Sequence, residues 1–405
     1  AQSDGKHYDG MLALGADLDL SAYAWEPIGQ GTSILEKREY EIEGAIYEID
    51  VHLYSHFGGT FSGEGHTITG MYVDGTIATE AGENSCESKT TYGGLFGVIY
   101  GEANITHLVI ENSYVTSSGR SGAVVAYAAG ASTEKRVMID NCHSEATVSG
   151  QDRVAGIVGL ITRGDIYWCF NYGRVYSSGS KCSVGGILAT AEGADGAPIQ
   201  VYNCVNAGDV YSPSGDNVGG IVGWSEWANV QSCANYGMVR GNEDVGGIIG
   251  QVNDSSHLTY GNVVDCVNYG DITGSGNHIG GVAGYVLVGR IVNSANFGKI
   301  KGYSDCVGGI TGEHDENKNC KTVNCVSYGT VSGGSKYIGS VIGRNYDNKG
   351  TVGPVYYKKG GPNAAGTKNG SSDSVKNVTA FSFNTPDSTL QSNLNGWSGF
   401  ESYNA

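Results

Sequence analysis

The sequence predicts an all-β chain wound into a three-sided parallel β-helix of about nine coils, and three observations carry that prediction. A six-residue pattern, aliphatic-Gly-Gly-aliphatic-aliphatic-Gly, recurs nine times at spacings of 27 to 34 residues. A period of this length marks a solenoid, a propeller or an array. Each repeat holds three short runs rich in Val and Ile, bounded by Gly, Asn, Ser and Asp, as strands between turns require. No repeat carries an apolar stripe at helical spacing, which removes leucine-rich and helical repeats. A propeller blade needs four strands in ~40–45 residues. Three runs in about 31 residues fit one turn of a β-helix better. Stacked at ~4.8 Å per turn, such coils make a rod roughly 40–45 Å long.

Composition narrows the alternatives. The 405 residues include 66 Gly but only 6 Pro, and Gly has no strict every-third-residue period, so collagen is excluded. Apolar residues make up 40% of the chain, enough to offset the entropy of ordering. No stretch approaches the ~18 continuous apolar residues of a spanning helix, so membrane insertion is not expected. With 24 Lys and Arg against 41 Asp and Glu, the formal charge of −17 argues against nucleic acid as a partner.

Taken in order, residues 1–90 lack the repeat and are expected to form an N-terminal cap with the first coils. Residues 91–350 hold the repeats, and 351–405 are expected to cap or extend the C-terminal end, where bare strand edges need cover. The glycine pattern runs from Tyr92–Gly97 and a degenerate Ser121–Ala126 through Val154–Gly159, Val184–Ala189, Val218–Gly223 and Val245–Gly250. It continues at Ile279–Gly284, Val307–Gly312 and Ile338–Gly343. Between these copies runs a second pattern, as in YNCVNAGDV at Tyr202–Val210 and VDCVNYGDI at Val264–Ile272.

Stacking turns each repeat position into a ladder. One ladder holds Cys142, Cys169, Cys204, Cys233, Cys266, Ser294 and Cys325. Small, apolar thiols suit an interior column. Cross-coil disulfides are the alternative, because a rung of ~4.8 Å lies within their Cα range. Cys86, Cys182, Cys306 and Cys320 stand outside the ladder, with pairing left open. A second ladder holds Asn171, Asn206, Asn235, Asn268 and Asn296, flanked by Ser144 and Ser327. Stacked amides there can bond to one another and to turn backbone. The third reads Tyr172, Ala207, Tyr236, Tyr269, Phe297, Tyr328. It packs inward, or faces outward as a strip on which sugars stack.

The opening Trp25-Glu26-Pro27-Ile28-Gly29, then Phe57-Gly58-Gly59-Thr60-Phe61 with Gly65-His66-Thr67-Ile68, leads into Gly-Gly-Leu-Phe-Gly and the repeats. This order of motifs, over residues 25–345, resembles the GLUG-motif repeat family of bacterial cell-surface and secreted proteins. The resemblance implies a right-handed β-solenoid and a secreted or cell-surface location. GLUG repeats also accompany immunoglobulin-A-cleaving metalloproteases, which use H-E-x-x-H. That motif is absent here, and Glu313-His314-Asp315-Glu316 has the wrong order, so the resemblance carries no catalytic residue onto this chain.

Candidate binding residues fall in the segment after the Gly-Gly-aliphatic run. Trp224, Glu226 and Trp227, with Asp254 and His257 from the next coil, are expected to form a loop platform for sugar. Asp216 and Glu243 are candidate calcium ligands, no other cofactor being expected. Asp209 and Asp271, two coils apart at roughly 10 Å, are the pair a polysaccharide-cleaving wall would use. His66 is expected to bond a backbone carbonyl. The leading expectation is a non-enzymatic surface solenoid acting as adhesin, glycan-binding module or stalk, with a glycan or protein surface as partner. The alternatives are a β-helix hydrolase or lyase, and a filament subunit associating end to end.

Overall fold

In a computed structural model, the structure describes residues 9–29, 33–42, 45–54, 56–75, 91–194, 196–253, 262–315, 319–366 and 378–383. The chain is an all-β parallel solenoid. Three of its sheets stack nine strands each, which spans about eight turns from first to last. Among the described residues, helix is limited to one short 3-10 segment, Tyr346–Asn348.

A representative coil shows how the repeat folds. Asn217–Gly219 lies in the first sheet and Val222–Glu226 in the second. Ala228–Gln231 and Ala234–Asn235 both belong to the third, and Val239–Gly241 to the fourth. Each run pairs in parallel with its counterpart one coil on; Val218 lies opposite Val245, and Asn206 opposite Asn235. The three runs read from the sequence thus become five strands, because two of them are divided at corners. The Gly-Gly pair divides one. Its first glycine sits where a β-carbon on Gly219 would stand 1.9 Å from the Val222 carbonyl oxygen. The other division falls at the residue before each ladder Cys. Asn141, Trp168, Asn203, Ser232, Asp265, Asn293 and Asn324 all adopt φ between 49° and 55° there. Asn and Asp tolerate that left-handed region through local side-chain bonding, which explains why they dominate this corner.

Alternation along each strand fills the interior with Val, Ile, Leu and Cys. Val154, Val184, Val218, Val245, Ile279 and Val307 form one such inner column, all fully buried. Each buried aliphatic of this size contributes roughly 1.5–3 kcal/mol. The cysteine ladder is interior as well. All nine described cysteines are buried and free, so the disulfide alternative is overturned for them, Cys182, Cys306 and Cys320 included; Cys86 lies outside the described residues. Each ladder thiol instead donates to the carbonyl two residues before it, as from Cys204 to Tyr202 at 3.4 Å and from Cys233 to Gln231 at 3.2 Å. Ser294 substitutes in kind, donating to Val292 O at 2.8 Å.

The asparagine ladder is a continuous chain of amides. Each Nδ2 donates to the Oδ1 of the next: Asn171 to Asn206, Asn206 to Asn235 and Asn235 to Asn268 at 2.8 Å, then Asn268 to Asn296 at 2.7 Å. The same Nδ2 also reaches the carbonyl of its own turn glycine, such as Gly237 at 2.9 Å.

At the N-terminal end the Trp25–Gly29 motif supplies a rung below the first repeat. Trp25 Nε1 donates to Leu95 O at 3.1 Å, and the Ile28 amide reaches the same carbonyl at 2.9 Å. His66 departs from expectation: its ring faces a side chain, with Nδ1 3.2 Å from Asp17 Oδ1. A ten-residue antiparallel hairpin, Ser33–Ile42 against Ala45–Tyr54, interrupts the parallel order and has no counterpart in the repeat. At the other end Thr351–Lys358 pairs with the last coil and with Val378–Phe383. Residues 363 and 364 accept the amides of Ser340, Val341 and Ile342 from the final glycine run.

Candidate functional site

Of the side chains expected to form a sugar platform, the structure describes Trp224, Glu226 and Trp227. Val222–Glu226 is a continuous strand, not a loop. Trp224 and Glu226 flank buried Ser225 and therefore share the outer face. Trp227 opens the next corner at φ 49°, half-buried, with its Nε1 enclosed and lacking a hydrogen-bond partner among the described residues. Asp254 and His257 lie outside the described residues. The indoles belong to a strand face and to the corner that follows it.

The aromatic ladder does face outward. Tyr236 and Tyr269 stack at 4.8 Å with planes 9° apart, Tyr269 and Phe297 at 5.3 Å and 12°, and Phe297 leads on to Tyr328 at 5.8 Å. Rings stacked this way cover each other's faces and present only edges to water, so the continuous part offers no platform. The break is at Ala207. Its amide bonds to Asn171 O, and the Tyr236 amide bonds to Asn206 O, which places Tyr172, Ala207 and Tyr236 on successive rungs. The two tyrosines are therefore two rungs apart, roughly 9.6 Å; the ladder leaves one ring face of Tyr236 uncovered and, at its end, both faces of Tyr172. Their exposures, 54% and 56%, exceed the 46% of Tyr269 inside the stack. Exposed Arg174 and Asp209 lie beside this gap, and Tyr176 stacks on Tyr211 at 5.6 Å just beyond.

Asp209 and Asp271 each bond to the backbone of the next coil. Asp209 Oδ1 accepts the Met238 amide of the next coil at 3.0 Å, and Asp271 Oδ1 accepts that of Lys299 at 2.8 Å. Asp216 and Glu243, the calcium candidates, are half-buried, and both press on the buried carboxyl of Asp244. Among the described residues they do not join a group of three close acidic, His or Cys donors; that group lies elsewhere.

It lies in a groove between the first and second sheets, whose outer faces meet across the Gly-Gly bend. Asp244, His278, Cys306 and Tyr337 are successive rungs on one side, each in the left-handed region. Trp224, Gln251, Tyr285, Glu313 and Arg344 are successive rungs on the other. His278 stacks on Tyr285 at 4.6 Å, with Nδ1 2.6 Å from Asp244 Oδ1 and Nε2 3.5 Å from Glu313 Oε2. Cys306 Sγ donates to the same Glu313 Oε2 at 2.8 Å. Arg344 lies 3.6 Å from the other oxygen, Oε1, and rests on the rings of Tyr337 and Tyr346. Glu313 and Cys306 are only 4% and 3% exposed.

Electrostatics follow from this enclosure. Burial pushes the Asp244 carboxyl up to about 6, against the pull of the His278 imidazole. For His278 burial opposes charge, but the hydrogen bond and charge of Asp244 with the charges of Glu313 and Glu243 outweigh it and raise the imidazole. Burial first, then the Glu313 carboxylate, raise the Cys306 thiol. Cys306, His278 and Asp244 have the residue types of a nucleophilic triad, yet the thiol is held protonated against a carboxylate, the reverse of activation. Sequence reading missed this group because its calcium candidates, Asp216 and Glu243, lie one position earlier in the repeat. The neighbouring His314 points the opposite way, fully buried with Nε2 2.9 Å from Thr322 Oγ1, so the acidic run containing it is split between groove and core.

No family model matches the chain. A stretch of 106 residues is 33% identical to part of Halomucin from Haloquadratum walsbyi, covering 26% of this chain and 1% of that protein. Among solved structures, the crystal structure of a "putative immunoglobulin A1 protease" from Bacteroides ovatus is similar, with a TM-score of 0.42 and 18% identity. That likeness covers 85% of this chain and 78% of the other.

Proposed function

We propose that the chain is a secreted or surface-displayed solenoid rod of the GLUG-repeat kind that binds glycan through a slot in its outer aromatic ladder. The observation that carries this reading is the missing ring at Ala207. Two stacking separations of ~4.8 Å fill the gap between Tyr172 and Tyr236 with one flat group of ring thickness. A pyranose offers two apolar faces and a rim of hydroxyls. The faces meet the two tyrosines, while Asp209 and Arg174 stand where the rim would emerge. The motif order and the stretch similar to Halomucin support a place outside the cell. Among the described residues, no helix is long and apolar enough to cross a membrane.

A glycan array followed by calorimetry on the best ligand tests the reading. Tyr172→Ala and Tyr236→Ala should each weaken binding about 10-fold or more, the loss of one stacked face. Ala207→Tyr should abolish it by closing the slot. Failure to bind any glycan, or binding untouched by Ala207→Tyr, removes the proposal.

A further inference from the structure

The groove cluster has a geometry that stacking and hydrogen bonding alone do not require. We propose that His278 Nε2, Cys306 Sγ and Glu313 Oε2 form a site for a divalent transition ion of the zinc class, with Asp244 as the positioning residue for His278. Donor atoms of these three side chains all lie within 4.8 Å of one another. Around tetrahedral zinc, with bonds of ~2.0–2.3 Å, ligand atoms stand roughly 3.3–3.6 Å apart. The 3.5 Å between His278 Nε2 and Glu313 Oε2 already meets that spacing. The 2.8 Å between Cys306 Sγ and Glu313 Oε2 is shorter because the thiol proton bridges them. An ion entering there takes the place of that proton, and the two atoms part by less than about 1 Å.

The surroundings match what a nitrogen, sulfur and oxygen donor set needs. Asp244 holds His278 Nδ1 at 2.6 Å and so turns Nε2 toward the other donors, the carboxylate–histidine arrangement that orients metal-bound imidazoles. Tyr285 fixes the plane of the ring from one face. Arg344 engages Glu313 Oε1 and leaves Oε2 for the ion. The donors come from two adjacent coils and two sheets, so they surround a point, which a single ladder of cysteines cannot do. A thiolate and an imidazole select zinc-like ions over calcium or magnesium, which take oxygen. With three protein ligands, the fourth position is left to water or to a donor from outside. This inference stands apart from the glycan slot, which uses other residues on another face.

The test uses the full 405-residue chain, stripped of metal and kept reduced. Calorimetry against a competing chelator should show one tight equivalent of zinc. Cobalt should give a thiolate-to-metal charge-transfer band, and calcium should leave the melting temperature unchanged. Cys306→Ser should remove the band and weaken zinc at least about 100-fold. Asp244→Asn should weaken it roughly 10–100-fold while keeping the band, the usual size for an orienting partner. Absence of the cobalt band in the unaltered chain overturns the proposal, a result that needs no variant to fold. So does a band that persists in Cys306→Ser, or zinc affinity unchanged in Glu313→Gln.

Discussion

A β-carbon on Gly220 would stand 2.4 Å from Cγ of Asn235, across the interior of the same coil. The relation repeats: Gly186 faces Asn206 at 2.3 Å, Gly247 faces Asn268 at 2.3 Å, and Gly281 faces Asn296 at 2.4 Å. The second glycine of the repeat is thus the seat of the amide ladder, and the two motifs are one device read from opposite sides of the coil.

Gly220→Ala should accordingly destabilise the chain by about 2–4 kcal/mol, from overpacking and a displaced amide. Asn235→Ala should cost a similar amount, because it strands the Asn206 donor and the Asn268 acceptor in the interior. Asn235→Ser should cost less, since Ser144 and Ser327 already hold this column at its ends. Denaturant titration of the three variants checks the order.

The cysteine ladder sets an alkaline limit. Burial raises the thiols of Cys169, Cys204, Cys233 and Cys266 well above their ordinary value, and pushes Cys325 up to about 12. Unfolded thiols lose their protons near 8.5 while the folded ones keep them, so the unfolded state binds fewer protons and stability falls as pH rises above ~8.5. Each such thiol contributes a slope of about 1.4 kcal/mol per pH unit. Melting temperature should drop steeply above that pH, and less steeply in Cys233→Ser. A thiol reagent at neutral pH should leave these residues unmodified until denaturant is added.

Acid acts through a different side chain. Burial lowers the His143 imidazole, whose ring meets Phe170 edge-on at 4.7 Å and whose Nε2 is enclosed without a partner among the described residues. Its folded value lies below the unfolded ~6.5, so the unfolded state takes up the proton first and stability declines as pH falls through about 6.5. His143→Phe should flatten the stability curve on that side, measured as melting temperature between pH 7 and 5.

Arg136 and Asp165 form a strongly networked ion pair of the wall. Arg136 reaches both Asp165 oxygens at 2.9 and 2.7 Å, and also Gly164 O at 3.0 Å and Pro198 O at 2.9 Å. Asp165 in turn accepts the Gln200 amide at 2.9 Å. Arg136→Ala should cost about 2–3 kcal/mol, less than a fully buried pair because both side chains keep some contact with water. Asp165→Asn, which keeps the Gln200 acceptor, should cost less. Urea unfolding separates them.

The repeat made the stacking legible because every coil spends the same residue types on the same tasks. Cys204 above Cys233, and Asn206 above Asn235, follow once the columns are aligned. The groove site was not legible for the opposite reason. Asp244, His278 and Cys306 occupy one corner position in three coils with three different side chains, at separations of 34 and 28 residues. Their fourth member, Glu313, comes from another sheet, and only the Gly-Gly bend brings it opposite them. Reading the residue directly before each aliphatic-Gly-Gly run would have set the three in one column. Trp224 and Trp227 illustrate the same limit: composition does not show that one lies in a strand and the other at the corner after it.

The hydrogen bonds of all four stacked sheets run from one coil to the next, and so lie along the line joining the ends of the stack. A pull on those ends therefore loads the rungs one after another, not many at once in shear. Each coil that lets go frees about 31 residues, roughly 100 Å of slack at full extension, while the coils behind it stay intact. A tether of this build would yield in steps and absorb a tug as extension instead of snapping.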